Sequence, residues 1–244
     1  AENERSTWMR FHTQTAGVSL TAQQPLNNLT RVAIQALAGI LGGTQSLHTD
    51  AYDEAWAVPS EDAALLALRQ QQILAEEAGV ANTVDPLGGS YFVETLTNQT
   101  EQRAWAYIKR IDEMGGMVRA LEAGYPQAEI ADSAYEQQRE IGAHEREIVG
   151  VTKFADPDEE LKIPLLAISE VQERRHLDRL ARVRSERDSA AHAAAIRRLE
   201  DEARRGDVNL MPAIVAAVEA YATVGEMCGV LRTVYGEYKE PLAV

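Results

Sequence analysis

Arg10-Phe11-His12-Thr13-Gln14-Thr15-Ala16-Gly17 and, further on, Gly42-Gly43-Thr44-Gln45-Ser46-Leu47-His48-Thr49 decide how this chain reads. Each stretch is a short β-prone run that carries polar side chains and ends in turn residues. A helical pattern follows each one. Functional groups at strand C-termini, with a helix after every strand, are how the last strands of a (β/α)8 barrel read. Two strand–helix units do not close a barrel, so the chain is expected to be part of something larger. The expected class is α/β. Residues 1–95 would form the last two strand–helix units of a TIM barrel, and residues 96–244 a mainly helical post-barrel region.

Outward from the two runs, Leu29, Val32, Ala33, Ala36, Leu37 and Ile40 recur at helical spacing. Asn27 and Asn28 are expected to cap that helix and Gly42-Gly43 to end it. A second helix opens at Pro59-Ser60-Glu61-Asp62, with Ser60 as N-cap and acids in its first turn. Its stripe includes Leu65, Leu68, Ile73 and Leu74, and Gly79 closes it. Asp85-Pro86-Leu87-Gly88-Gly89-Ser90 is a turn cluster, and Tyr91 to Glu94 is expected to be short and extended. Helices are expected over 97–114, 117–123 and 130–141, with Gly115-Gly116 as a break. Ile148 to Phe154 is β-rich, and the acidic stretch Asp156 to Glu160 reads as an exposed loop and boundary. Ser169 to Arg205 reads as one long charged helix, stopped at Gly206. Two further helices are expected over 211–221, with Pro212 near its start, and over 224–235, capped by Thr223.

The composition narrows the class of function. The chain has 244 residues, 45% hydrophobic and 25% charged, which is ordinary for a globular protein. No apolar run approaches the length of a membrane span, and the polar start Ala1-Glu2-Asn3-Glu4-Arg5 does not read as a signal peptide. The formal net charge of −14 repels phosphate backbones and argues against nucleic acid as a partner. Cys228 is the single cysteine, which excludes an intrachain disulfide and a thiolate zinc site. A cytoplasmic location is the expectation.

Conventional catalytic motifs are absent. No His-Glu-x-x-His, P-loop, dinucleotide fingerprint or Gly-x-Ser-x-Gly elbow occurs, and no metal site is expected. His144, His176 and His192 lie in polar helical segments and read as solvated surface groups. His12 and His48 stand in the strand runs, where the residues alone favour hydrogen-bonded core histidines. Glu54 follows the second run in Tyr52-Asp53-Glu54-Ala55. A carboxylate there either faces the mouth of a barrel site or compensates a helix N-terminus, and position alone leaves both open.

Five motifs, in order, carry a resemblance. They are Arg10 to Gly17, Gln24-Pro25-Leu26-Asn27-Asn28, Gly42 to Thr49, Asp53-Glu54-Ala55, and Asp85-Pro86-Leu87-Gly88-Gly89-Ser90-Tyr91. With Gly115-Gly116-Met117, Val149-Gly150-Val151 and Arg184-Ser185-Glu186-Arg187-Asp188, they resemble the adenosylcobalamin-dependent acyl-CoA mutases over nearly the whole chain. Within that family the C-terminal half of the methylmalonyl-CoA mutase large subunit is most similar. The resemblance implies radical carbon-skeleton isomerisation of an acyl-CoA, most simply (R)-methylmalonyl-CoA to and from succinyl-CoA. In such enzymes the cofactor carries the hard chemistry and the protein binds, orients and excludes water, which accounts for the missing acid–base motifs.

The resemblance also assigns residues. Glu54 would hydrogen-bond the ribose of the adenosyl group, with Ala55 beside it at the corrin face. Gln14 and Gly17 would contact the corrin, and His12 and Gln45 would line the cavity where substrate and adenosyl group meet. His48 matches a family position without a role. The groups that bind the acyl carboxylate, the thioester and most of coenzyme A are expected in the N-terminal barrel portion of the large subunit. The family's Asp-x-His-x-x-Gly cobalt-ligand motif does not occur in these residues, so a separate small cobalamin-binding subunit is expected as a partner. Two alternatives stay open. One is a non-catalytic assembly module, since exposed strand edges seek partners. The other is a related mutase acting on ethylmalonyl-, isobutyryl- or 2-hydroxyisobutyryl-CoA.

Overall fold

The structure, a computed structural model, describes residues 2–160 and 162–239. Among them are two strands and nine α-helices. The chain divides into two compact units, the first running through Leu166 and the second starting at Ala167. No helix among the described residues is long and apolar enough to cross a membrane.

The first unit opens with a β–α–β–α run. Strand β1 (His12–Gln14) pairs in parallel with β2 (Ser46–His48), with His12 opposite Ser46 and Gln14 opposite His48. Two more backbone bonds, Gln45 N–H to Phe11 O and Thr15 N–H to His48 O, extend the ladder at its two ends. Parallel neighbours need a crossover, here helix α1 (Asn27–Leu41). Its Gly39 lies so close to the sheet that a Cβ there would stand 3.2 Å from the Thr13 methyl. Thr13 and Leu47 therefore face α1. Successive strand residues alternate sides, so His12, Gln14, Ser46 and His48 share the opposite face.

Helix α2 (Glu61–Glu76) starts where expected, with the Ser60 hydroxyl accepting from Ala63 N–H. Such a cap stabilises by about 1 kcal/mol. The helix is tied to β2: Thr49 Oγ1 donates to Ala67 O, and the Gln71 amide donates to Leu47 O and to Thr49 Oγ1. Ala51, Tyr52 and Ala63 form the buried cluster beneath, with Leu29 and Ile163 against it. Helices α3 (Tyr91–Glu113), α4 (Met117–Glu122) and α5 (Tyr125–Gly142) follow. The break between α3 and α4 is at Gly115 and Gly116, both at positive φ, a conformation that glycine adopts without steric cost.

The second unit holds α6 (Glu170–Glu186), α7 (Ser189–Arg205), α8 (Met211–Glu219) and α9 (Val224–Tyr235). Its core is Leu199, Ala213, Ala217 and Met227. A fully buried leucine stabilises by about 2 kcal/mol, and the small alanines let α7, α8 and α9 approach closely.

Five expectations are corrected. Asn27 and Asn28 do not cap α1: the N-cap is Leu26, without a side-chain bond. Asn28 is fully buried and its amide is satisfied elsewhere, donating to Thr21 O and Tyr52 O and accepting from Thr21 N–H and Arg31. Tyr91 to Glu94 is helical, because Ser90 caps α3 at Tyr91 and the Glu94 carboxylate accepts from Gly89 N–H. Ile148 to Phe154 is a turn with one isolated bridge, Val149–Lys153. β-propensity there finds no partner strand, and Gly150 and Phe154 sit at positive φ. The long charged helix is two helices, broken at extended Arg187, after which Asp188 Oδ1 accepts from Ala190 and Ala191 N–H. Finally, His192 is not a solvated surface group: its side chain is 16% exposed and its Nε2 lies 3.5 Å from Glu226.

Candidate functional site

The two strands end in turns that fold toward each other. After β1 the chain makes a short 3-10 turn at Gly17–Ser19. After β2 it turns through residues 52–57. Gly17 and Glu54 meet there: a Cβ on Gly17 would lie 3.0 Å from Glu54 Oε1. Glycine at 17 thus leaves room for the carboxylate. The turn at 17–19 is itself held from α1, since the Gln35 amide accepts from Ala16 N–H and donates to Ser19 Oγ. The turn at 52–57 is held by the buried Asp53, whose Oδ2 accepts from Ser60 N–H, and by Trp56 Nε1–H donating to Ala22 O.

Glu54 is an exposed residue whose carboxyl lies against Gly17. Its pKa is raised above the ordinary carboxylate value. Partial burial of the carboxyl is the largest cause, the negative Asp50 adds to it, His48 opposes, and Asp53 adds a little more.

Gln14 ends β1, and its Nε2 donates to Asp50 Oδ1 at 3.2 Å. His48, its partner across the ladder, places Nε2 3.5 Å from the same oxygen. Asp50 was not singled out in the sequence, yet it is 1% exposed and central to this end of the sheet. Its N–H donates to the buried Thr15 hydroxyl. The available signal was its place two residues beyond His48, on the same side of an extended chain.

His12 and Gln45 lie at the other end of the strands. His12 Nδ1 is 2.7 Å from Ser46 Oγ. The Gln45 amide is engaged with backbone, accepting from Phe11 N–H at 2.8 Å and donating to Gly43 O at 2.7 Å. Both residues, with Arg10, Phe11 and Ser46, line an open depression. His12 and His48 are exposed here and not core residues. Gln14, Gly17 and Glu54 are brought together with Asp50 and His48, and Ala55 follows Glu54 in the exposed turn. Gln24, the first residue of the Gln24-to-Asn28 motif, is at positive φ. It is clasped by the loop at 154–159: its N–H donates to Glu159 and its side chain to Phe154 O.

The acyl-CoA mutase resemblance agrees with what comparison with known proteins finds. A family model described as methylmalonyl-CoA mutase matches residues 1–237. The 2-hydroxyisobutanoyl-CoA mutase large subunit of Aquincola tertiaricarbonis is 42% identical over 240 residues, which is 98% of this chain and 43% of that protein. The methylmalonyl-CoA mutase of Escherichia coli is 43% identical over 99% of this chain and 34% of its own length. The human mitochondrial methylmalonyl-CoA mutase is 40% identical over 98% and 32%. The chain therefore spans from about a third to a little over two fifths of the length of these curated relatives, and it belongs to the methylmalonyl-CoA mutase family.

Proposed function

We propose that this chain supplies the C-terminal part of the barrel and the following helical region of an adenosylcobalamin-dependent acyl-CoA mutase. The reaction is the isomerisation of (R)-methylmalonyl-CoA to and from succinyl-CoA. It needs the N-terminal barrel portion of the large subunit and a cobalamin-binding subunit, and it proceeds in the cytoplasm. Residues 1–95 form the barrel part and 96–244 the post-barrel region. The observation that carries this reading is the meeting of Gln14, Gly17 and Glu54 at one end of two parallel strands, in a chain of this family.

The residues fit the group they would hold. Gly17 lacks the Cβ that would press on Glu54. The groups gathered at this end of the strands are the Gln14 amide, the Asp50 and Glu54 carboxyls, the His48 imidazole and backbone. Adenosylcobalamin, when bound, supplies the radical that starts the exchange of substituents on the acyl-CoA. Glu54 accepts hydrogen bonds from adenosyl hydroxyls. Gln14 and the backbone at Gly17 and Ala55 contact the corrin. His12 and Gln45 line the wall facing the substrate. The exposed apolar faces of α2 and α3, including Leu65, Leu68, Phe92 and Leu96, are covered by the rest of the enzyme, which also keeps water from the site.

A second substrate reading rests on the Aquincola relative, whose name gives 2-hydroxyisobutanoyl-CoA. Assay of the complete assembly with both esters separates the two. Glu54→Gln in that assembly is expected to lower turnover on the order of 10²-fold with little change in acyl-CoA affinity. Unchanged turnover removes Glu54 from the site. An assembled, cofactor-loaded complex that isomerises neither ester refutes the proposed function.

A further inference from the structure

Asp50 is buried where a carboxylate is expensive to keep. It is 1% exposed, and its Oδ2 has no hydrogen-bond partner. A buried polar oxygen left unpaired is destabilising, so the position calls for an explanation beyond packing. The cluster around it supplies one. Thr15 ties this end of the sheet together: Asp50 N–H donates to Thr15 Oγ1, and Thr15 N–H donates to His48 O. The carboxyl is thereby presented to the ends of both strands, with Gln14 Nε2 and His48 Nε2 converging on Oδ1.

A primary amide has a donor end and an acceptor end that differ little in shape, and its neighbours decide which way it points. A carboxylate has only acceptors to offer. Gln14 must therefore turn its NH2 toward Asp50, which leaves its Oε1 as the outward group. Were residue 50 an amide, either orientation of Gln14 would find a partner.

We infer that Asp50 is a positioning residue that orients the Gln14 amide, so that Gln14 presents a carbonyl oxygen to a hydrogen-bond donor on the bound corrin. This rests on the proposed reading of Gln14 as a cofactor contact. The ligand group recognised at this point is then an N–H, of the kind an amide-bearing macrocycle carries, and not an acceptor.

The test is a charge-swap cycle in the full chain assembled with the remaining barrel and the cobalamin-binding subunit. Affinity for adenosylcobalamin, affinity for the acyl-CoA ester and melting temperature are all read. Gln14→Glu alone sets two carboxylates together and should weaken adenosylcobalamin binding by more than tenfold. Adding Asp50→Asn lets the new amide donate to the new carboxylate, whose second oxygen again faces outward, and should recover most of the loss. Asp50→Leu, which removes the acceptor, should weaken binding about tenfold, the worth of one ordinary hydrogen bond, with ester affinity unchanged. Additive losses in the double variant overturn the inference, and that comparison stands even if Asp50→Leu fails to fold. Gln14→Ala separates the two layers of argument. Unchanged cofactor affinity there removes the site reading and the inference with it. A loss there, without rescue in the swap, removes the inference alone.

Discussion

Gly17 and Glu54 are neighbours because residue 17 has no side chain, and that makes glycine the most economical probe of the site. Gly17→Ala would put a methyl 3.0 Å from Glu54 Oε1. The carboxylate is at the end of a flexible side chain and can swing aside, so folding should hardly suffer. The melting temperature is expected to stay within a degree or two of the parent, while turnover of the assembled enzyme falls and ester affinity holds. A collapse in melting temperature would show that the glycine serves folding. The position of Glu54 was legible in the sequence, since a carboxylate in the turn after a short polar strand stands out. Asp50 is legible only as the second residue beyond His48. Its significance comes from burial and from the convergence of Gln14 and His48 on one oxygen, and both arise only when residues 36 positions apart in the chain are brought together. The same holds for Asn28, whose amide looked like a cap and instead bridges Thr21 and Tyr52.

Among the elements, an isolated cap sets where a helix starts, and tertiary partners override the local signal where they compete for the same groups. Ser60 begins α2 and Thr223 begins α9 as the spacing predicts. The break between α6 and α7 leaves no mark in the spacing, because apolar residues continue at helical intervals across it. What makes the break is an ion pair. Arg187 leaves the helix to grip Glu226 with both nitrogens, at 2.7 and 2.9 Å, and to donate to Tyr221 O. Glu226 also accepts from the Thr223 N–H and hydroxyl. The Arg187 hydrogen bonds, opposed by partial burial and helped by Thr223, hold the Glu226 carboxyl far below its ordinary value. A carboxyl whose folded pKa is depressed stabilises fully above its unfolded value of 4.5, and that stability is lost as pH falls toward the folded pKa. Thermal melts of the second unit are therefore expected to weaken steadily below about pH 4.5. Arg187→Met should lower stability at neutral pH and flatten that acid limb. An equally steep limb in the variant would show that other carboxylates cause it.

For the whole molecule, the strand pair is the decisive element. β1 and β2 bond to each other, and among the described residues no further named strand pairs with either. The face bearing His12, Gln14, Ser46 and His48 is open. If the remaining barrel completes this sheet, amide exchange across 12–14 and 46–48 should slow on assembly, because free strand edges become bonded. Exchange that is unchanged in the active assembly would contradict barrel closure at these strands. The sequence by itself determined the opening strand–helix–strand–helix order, the positions of isolated caps and glycine stops, and the family. These rest on spacing, on backbone chemistry and on motif order, all of which are local in the chain. Only the tertiary structure decided that Glu54 touches Gly17, that Asp50 is buried with one oxygen unpaired, that Gln45 is engaged with backbone, and that Arg187 interrupts a helix to reach Glu226. Each of these depends on groups distant in sequence competing for the same hydrogen bonds. Folding settles that competition by burial, where an unpaired polar group is costly and the best partner wins.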